Sequence, residues 1–320
     1  MEDNIRAFSE DDKRKVPISV VSQNLCCIII LFAIAGDIVK FSVEEFRDWE
    51  NKNITLLGMS GVGKSYLASK LRGNNWFHYS GDYRIGTRYI DEHMLDMIRW
   101  EAMQVPFLRD LVRTEWIYFH NNIRINDLGP VLSFVGKLGN PELGGVELGD
   151  FIRRQAIYRQ AEIDAMLEVP KFVHKAQAIY SCPHFINDVG GSVCELDQPG
   201  VIETLVECSL VLYIKVTNQE QEDIMIERAQ SSPKPMYYRP EFLQEQLEIY
   251  LPLQGIEYAA QIDPDEFARW IFPRLFHSRI PRYDAIAEPH GYTVTSEEIA
   301  QVNDEEDFIQ LLELAIGRQN

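Results

Sequence analysis

The segment 54–65 constrains the fold of this 320-residue chain more than any other part of the sequence. It begins with an apolar and β-branched run at 54–57, continues through Gly58-x-x-x-x-Gly63-Lys64-Ser65, and leads into residues with apolar side chains at helical spacing. This succession predicts a buried strand, a glycine-rich loop and a helix. The chain is therefore expected to contain a β-loop-α unit of an α/β fold with a mostly parallel sheet between helices.

A glycine-rich loop of this type, a P-loop, binds phosphate through its backbone. Where glycines replace bulkier residues, successive N–H groups turn inward at the positive end of the following helix and form an anion-binding nest. The lysine then reaches the β and γ phosphates of a nucleotide, and the serine hydroxyl coordinates Mg²⁺. The candidate nucleotide-binding residues are Gly58, Met59, Ser60, Gly61, Val62, Gly63, Lys64 and Ser65.

The charge balance excludes one class of partner. The chain has 31 Lys and Arg against 49 Asp and Glu, a formal net charge of −18. A protein that binds long DNA or RNA through many phosphate contacts needs a basic surface. We therefore expect no extended nucleic-acid surface, with anion binding confined to a local site.

The segment 76–88 indicates which kind of P-loop protein this is. It reads Trp-Phe-His-Tyr-Ser-Gly-Asp-Tyr-Arg-Ile-Gly-Thr-Arg and resembles the segment that follows the P-loop helix in nucleoside monophosphate kinases, where a Ser/Thr-Gly-x-x-x-Arg run holds the phosphate acceptor. The resemblance implies that Asp82 orients or deprotonates an acceptor hydroxyl, and that Arg84 or Arg88 grips an acceptor anion. Judged on the residues alone, an Asp that caps a helix and arginines on a solvated face fit equally well.

The second acidic candidate is Asp188, the last residue of the run 183–188. This run predicts a short strand that ends at Asp188, before a glycine turn. An acid at the carboxyl end of a strand beside the P-loop strand can bind Mg²⁺, so Asp188 is the second metal candidate and Glu195 its substitute. The Asp188-Val-Gly-Gly run also resembles the third motif of GTPases. The guanine-reading Asn/Thr-Lys-x-Asp motif is absent after residue 192, so an ATPase-type or GTPase-type switch is kept only as the alternative.

Further elements are predicted downstream. A strand at 210–216 is predicted to lead into a helix at 220–229. The resemblance to small P-loop kinases implies that Arg228 on this helix clamps a phosphate group. A surface role for Arg228 is equally compatible with the residues. Glycines and a proline over 128–149 predict a loop, and the segment 151–169 predicts a long helix. A helix at 265–276, a basic turn at 279–283 and a last strand at 290–295 are predicted near the C-terminus.

These segments predict a domain organisation. Residues 1–40 are expected to form an N-terminal extension, because their apolar run at 25–32 is too short to span a bilayer and acidic and polar residues interrupt the pattern of a secretory signal. Residues 41–88 and 175–320 are expected to form the nucleotide-binding core, and 89–174 a helical insertion on the acceptor or lid side. Five cysteines without a C-x-x-C pair indicate a reduced, cytoplasmic protein.

The motifs together favour a Mg-ATP-dependent phosphotransferase that acts on a small acceptor molecule. Lys64, Asp82, Asp188 and Arg228 are its candidate catalytic residues, Ser65 and Asp188 its metal ligands, and ATP and Mg²⁺ its cofactors. The acceptor and the oligomeric state are left open by the sequence.

Overall fold

A computed structural model describes residues 40–73 and 75–319. Apart from Lys40, the N-terminal extension predicted over 1–40 lies outside the described residues. None of the helices in the described part of the chain combines the length and the apolar character that crossing a bilayer requires.

The centre of the described chain is a five-stranded sheet in which every pair of neighbouring strands is parallel. Its strands are β1 (Asn53–Leu57), β2 (Trp76–Ser80), β3 (His184–Asp188), β4 (Leu210–Lys215) and β5 (Gly291–Thr295). They lie in the order β2-β3-β1-β4-β5. The predicted α/β fold with a mostly parallel sheet is confirmed, and the P-loop strand β1 occupies the middle of the sheet.

Burial explains why these segments form strands. All five residues of β1 are buried, and β4 is buried except at its last residue. Parallel strands need long crossovers, which here are helices that cover the sheet, so both faces of a central strand are apolar. The near-continuous apolar runs of β1 and β4 are typical of such strands.

The helices fall into two groups along the chain. Before β3 they are α1 (Val43–Asp48), α2 (Lys64–Leu71), α3 (Gly81–Arg84), α4 (Asp91–Gln104), α5 (Pro106–Arg113), α6 (Gly129–Val135), α7 (Leu148–Leu167) and α8 (Val169–Ala178). After β3 they are α9 (Val201–Cys208), α10 (Gln219–Ser231), α11 (Pro240–Gln254), α12 (Pro264–His290), α13 (Ser296–Gln301) and α14 (Glu305–Gln319). The segment between β2 and β3 is thus mainly helical, as predicted for the insertion.

Two local predictions were wrong. The segment 128–149 was expected to be a loop, but it contains α6, which begins at a glycine–proline pair and buries Val131, Phe134 and Val135. The basic turn expected at 279–283 lies inside α12, a 27-residue helix that continues through Pro273, Pro281 and Pro289. Tertiary packing along this helix outweighs the tendency of proline to end it, since residues such as Ile271 and Leu275 are almost completely buried.

Candidate active site

The P-loop adopts a conformation that requires glycine at three positions. Gly58, Gly61 and Gly63 have φ angles of 143°, 96° and 105°, which residues with a side chain rarely adopt. A Cβ atom on Gly58 would also lie 2.7 Å from the carbonyl oxygen of Ile214 at the end of β4. The loop therefore passes directly against the neighbouring strand before it enters α2, and the N-terminus of a helix is a site that favours an anion.

Lys64 is the first residue of α2, and its side chain turns back to the loop. Its side chain is buried, and the ammonium group donates hydrogen bonds to the carbonyl oxygens of Gly58 and Met59 at 2.6 and 3.0 Å. Burial lowers the pKa of Lys64, and the carboxyl groups of Asp188 and Asp82 oppose this shift. An ammonium group has three N–H donors, so one is left for a phosphate oxygen.

Ser65 and Asp188, the two residues expected to bind a metal ion, both carry side-chain oxygen atoms and both border the cleft over the carboxyl edge of the sheet. Ser65 is exposed in the first turn of α2, and Asp188 is the buried last residue of β3, in register with Leu56 of β1. Hydroxyl and carboxylate oxygens are ligands that Mg²⁺ prefers, and Mg²⁺ retains several waters or phosphate oxygens. The described residues contain no group of three or more His, Cys, Asp or Glu arranged to bind a metal ion. The donor set therefore fits a magnesium ion held jointly with a nucleotide.

A cleft of about 1100 Å³ opens over this edge of the sheet. One wall is the P-loop with Ser60, Gly61 and Ser65, and a second is formed by the end of β2, Asp82 and Asp188. The segment 125–135 and Tyr158 contribute from the region between β2 and β3, and residues of 225–237 close the remaining side. The helical region between β2 and β3 thus faces the P-loop across one cleft.

Asp82 borders the cleft beside the glycine turn at Gly190, where a Cβ atom would lie 3.2 Å from its Oδ1. It lies in the first turn of α3, directly after β2, and its Oδ1 accepts a hydrogen bond from the hydroxyl of Tyr158 at 3.3 Å. Burial raises the pKa of Asp82, and the nearby carboxyl group of Asp188 raises it further. A carboxylate with a raised pKa is a better proton acceptor near neutral pH.

His78 is a site residue that the sequence reasoning did not single out. It lies on β2, two residues before Ser80, and its side chain is 3% exposed. Its Nε2 is 3.8 Å from Oδ2 of Asp188, and neither ring nitrogen has a hydrogen-bond partner among the described residues. A buried polar group without a hydrogen-bond partner is uncommon in a folded protein, so His78 at the border of the cleft is a candidate for a role in ligand binding.

Glu162 packs against the glycine turn, which is formed by Gly190 and Gly191 after β3. Its side chain is fully buried on α7, and its Oε2 accepts a hydrogen bond from the hydroxyl of Ser192 at 2.6 Å. A Cβ atom on Gly190 would lie 2.4 Å from Oε1, which has no hydrogen-bond partner among the described residues. Burial raises the pKa of Glu162 to about 8, against the opposing effect of the Ser192 hydroxyl. Glu162 is therefore mainly protonated at neutral pH.

A buried network ties the glycine turn to the P-loop. Arg279 of α12 donates to Oε2 of Glu195 at 2.8 and 2.6 Å and to the carbonyl oxygen of Gly191 at 2.9 Å. The hydroxyl of Tyr283, one turn later, donates to the carbonyl oxygens of Gly58 and Gly191 at 3.1 and 3.0 Å. Because Glu195 is committed to this ion pair, it is not positioned to replace Asp188 as a metal ligand.

The predicted arginines are placed in different ways. Arg228 is exposed on α10 and borders the cleft, whereas Arg84 and Arg88 do not border it. The Nε of Arg84 donates to Oε2 of Glu168 at 2.7 Å, and its guanidinium lies over the ring of Phe172, 5.0 Å from the centroid. Arg88 is exposed in a π-helical turn that follows α3. The structure therefore brings Arg228 to the P-loop cleft but not the two arginines expected to grip an acceptor anion.

Three further site residues had only weak signals in the sequence. Tyr158 and Glu162 are four residues apart on α7 and therefore share one helix face, but the sequence gives no reason to prefer that face over the arginines beside it. The sequence predicts a basic turn at Arg279, whereas the residue lies inside α12.

Comparisons with known proteins place few constraints on this chain. No protein-family model matches the sequence, and no curated protein matches it. Among solved structures, a shikimate kinase from Bacteroides thetaiotaomicron is similar over 83% of this chain and 98% of that chain, with 15% identity and a TM-score of 0.37. A likeness at this level carries no argument about function, and the description of the fold rests on the strand order and the P-loop.

Proposed function

We propose that this protein is a Mg-ATP-dependent phosphotransferase that moves the γ-phosphoryl group of ATP to a hydroxyl group of a small acceptor. The observation that carries the proposal is that one cleft joins a P-loop to a carboxyl group, Asp82, whose pKa is raised. A hydrolase can use such a group to position water, and a transferase can use it to position or deprotonate an acceptor hydroxyl. Transfer is favoured because the cleft extends beyond the P-loop to the helical region between β2 and β3, which leaves room for an acceptor.

Each residue has a defined part in this reaction. Asp82 accepts the proton of the acceptor hydroxyl, the acceptor oxygen forms a bond to the γ-phosphorus, and the bond to the β–γ bridging oxygen breaks so that ADP leaves. The loop N–H groups and Lys64 hold the phosphates, and Ser65 and Asp188 hold Mg²⁺. When bound, the metal ion neutralises charge on the phosphate oxygens.

Arg228 belongs to the nucleotide side of the cleft. The methyl group of Met225 lies 3.6 Å from the position of a Cβ on Gly61, so α10 passes over the P-loop. Arg228 follows Met225 by three residues and therefore shares its helix face. We assign it to the phosphates of the nucleotide. We assign 41–88 and 175–320 to the nucleotide-binding core, 89–174 to the acceptor side, and the protein to the cytoplasm.

A nucleotide switch is the second candidate function. It is favoured by the contact between the glycine turn and the P-loop, where a Cβ on Gly191 would lie 2.8 Å from the backbone nitrogen of Ser60. Such a contact can couple the turn to the state of the nucleotide. The absence of a guanine-reading motif in the sequence after residue 192 favours ATP over GTP for either function.

Nucleotide binding and acceptor-stimulated ADP release test the proposal together. Thermal shift is expected to show ATP and ADP binding in preference to GTP and GDP, and Lys64→Ala is expected to abolish the shift. Lys171→Ala, which changes an exposed lysine outside the cleft, is the matched control and keeps the shift. Steady ATP hydrolysis that no acceptor stimulates would favour the switch, and tighter binding of GTP would contradict the assignment to ATP.

A further inference from the structure

The acceptor end of the cleft carries a restricted set of chemical groups. The side chains around Asp82 that can form hydrogen bonds include the carboxyl groups of Asp82 and Asp188 and the hydroxyl groups of Ser80, Tyr158 and Ser192, all of which border the cleft. Asp188 is in register with Ser80 on the neighbouring strand. The end of the cleft beyond the P-loop is thus rich in hydrogen-bond acceptors and hydroxyl groups.

The nearby guanidinium groups are engaged elsewhere. Arg279 is paired with the fully buried Glu195, and Arg84 is paired with Glu168. Arg159, the residue after Tyr158, donates to a backbone carbonyl oxygen, that of Leu196. A phosphate or carboxylate group on the acceptor would therefore approach the carboxyl group of Asp82 without a matching arginine, since Asp188 is assigned to Mg²⁺.

The other cations of the cleft lie on the nucleotide side. Lys64 is held within the P-loop, and Arg228 lies on the helix that passes over Gly61. Lys234 follows in the segment that continues that wall and is exposed. These groups match the polyphosphate of a nucleotide, which needs several cationic contacts.

His78 is the independent sign of a ligand at the acceptor end. Its imidazole is 3% exposed, yet neither nitrogen has a hydrogen-bond partner among the described residues. An imidazole can donate one hydrogen bond and accept another, which is the pair that a hydroxyl group also offers. Nearby, the rings of Tyr158 and Tyr237 stack with centroids 6.1 Å apart, and both residues border the cleft.

We propose that the acceptor is an uncharged molecule with several neighbouring hydroxyl groups, such as a sugar, a cyclic polyol or a nucleoside, and that His78 helps to recognise these hydroxyls. The inference rests on the proposed phosphotransferase function. One hydroxyl loses its proton to Asp82 and receives the γ-phosphoryl group as ADP leaves. The remaining hydroxyls donate to and accept from the carboxyl, hydroxyl and imidazole groups around them.

Uncharged, anionic and cationic polyhydroxy compounds test the inference. Purified protein with Mg-ATP is assayed for ADP release with D-ribose, myo-inositol, adenosine and uridine, with the monophosphates of ribose, adenosine and uridine, with D-gluconate, and with D-glucosamine. At least one uncharged compound is expected to raise ADP release about tenfold or more, while its phosphorylated counterpart does not. The phosphorylated product is identified by mass spectrometry.

The other outcomes each overturn the inference. Stimulation only by monophosphates or gluconate would show that the acceptor is anionic. Stimulation only by glucosamine would show that it is cationic. Either result would leave the proposed phosphotransferase function unaffected. No stimulation by any compound, while ATP still binds, would overturn both the inference and the proposed function.

Variants of His78 test its role separately. With the stimulating acceptor, His78→Ala is expected to raise the KM for the acceptor about tenfold and to leave the KM for ATP nearly unchanged, because one recognition hydrogen bond is lost. His78→Gln keeps a donor and an acceptor and is expected to restore part of the affinity. Equal changes in both KM values, or no rescue by glutamine, would show that His78 serves the structure instead of the acceptor.

Discussion

Glu162 gives the sharpest test of the electrostatics behind the site. In the folded protein burial raises its pKa to about 8 from an ordinary value of 4.5. Between these two pH values the folded state binds more protons than the unfolded chain, so the free energy of unfolding falls as the pH rises. One pKa unit corresponds to about 1.36 kcal/mol, so the penalty grows from about 0.8 kcal/mol at pH 5 to about 3.3 kcal/mol at pH 7.

The substitution Glu162→Gln removes this penalty while it keeps the size of the side chain. The variant is therefore expected to gain about 2.5 kcal/mol of stability relative to the unmodified protein between pH 5 and pH 7. Urea unfolding at several pH values measures the difference, and Glu101→Gln on the exposed face of α4 is the control for the substitution itself. A constant difference for Glu162→Gln, or a difference that shrinks as the pH rises, would refute the reasoning.

Two other predictions concern the packing around the glycine turn. Gly191→Ala is expected to lower the free energy of unfolding by about 1–3 kcal/mol and to weaken ATP binding in the thermal-shift assay, because its Cβ would meet the backbone of Ser60. Gly149→Ala is the control, since no atom lies within 4 Å of its Cβ position, and it is expected to keep both stability and ATP binding. Arg279→Met is expected to lower the free energy of urea unfolding by about 3–5 kcal/mol, because it leaves the carboxyl group of Glu195 buried without its main partner. A loss of less than about 1 kcal/mol would mean that Arg279 contributes little to the network.

The parts of the fold that depend on local sequence were predictable. The strand β1, the P-loop and α2 follow one another within 53–71, and each is specified by its own residues: apolar side chains, glycines and helical spacing. The helix α12 was predicted too short, because Pro273, Pro281 and Pro289 are local stop signals. What overrides them is contact with strands and helices far away in the chain, and no local pattern reveals it.

The acceptor end of the cleft shows the same limit. Asp82 was singled out through a resemblance, but its partner Tyr158 is 76 residues away. The pairing of Arg84 with Glu168 spans 84 residues, so a residue that resembles an anion-binding arginine lies outside the cleft. His78 is unusual only because it is buried without a partner, and the sequence contains no signal of that.

Transfer of labelled phosphate tests the central claim most directly. ATP labelled at the γ position is incubated with the protein, Mg²⁺ and the acceptor that stimulates ADP release. The label is expected to appear on the acceptor, and Asp82→Asn is expected to slow its appearance by about 10²-fold or more while nucleotide binding persists. Asp110→Asn, on the exposed face of α5, serves as the control and retains the transfer. Label that appears only in inorganic phosphate, at the same rate in both variants, would contradict the account.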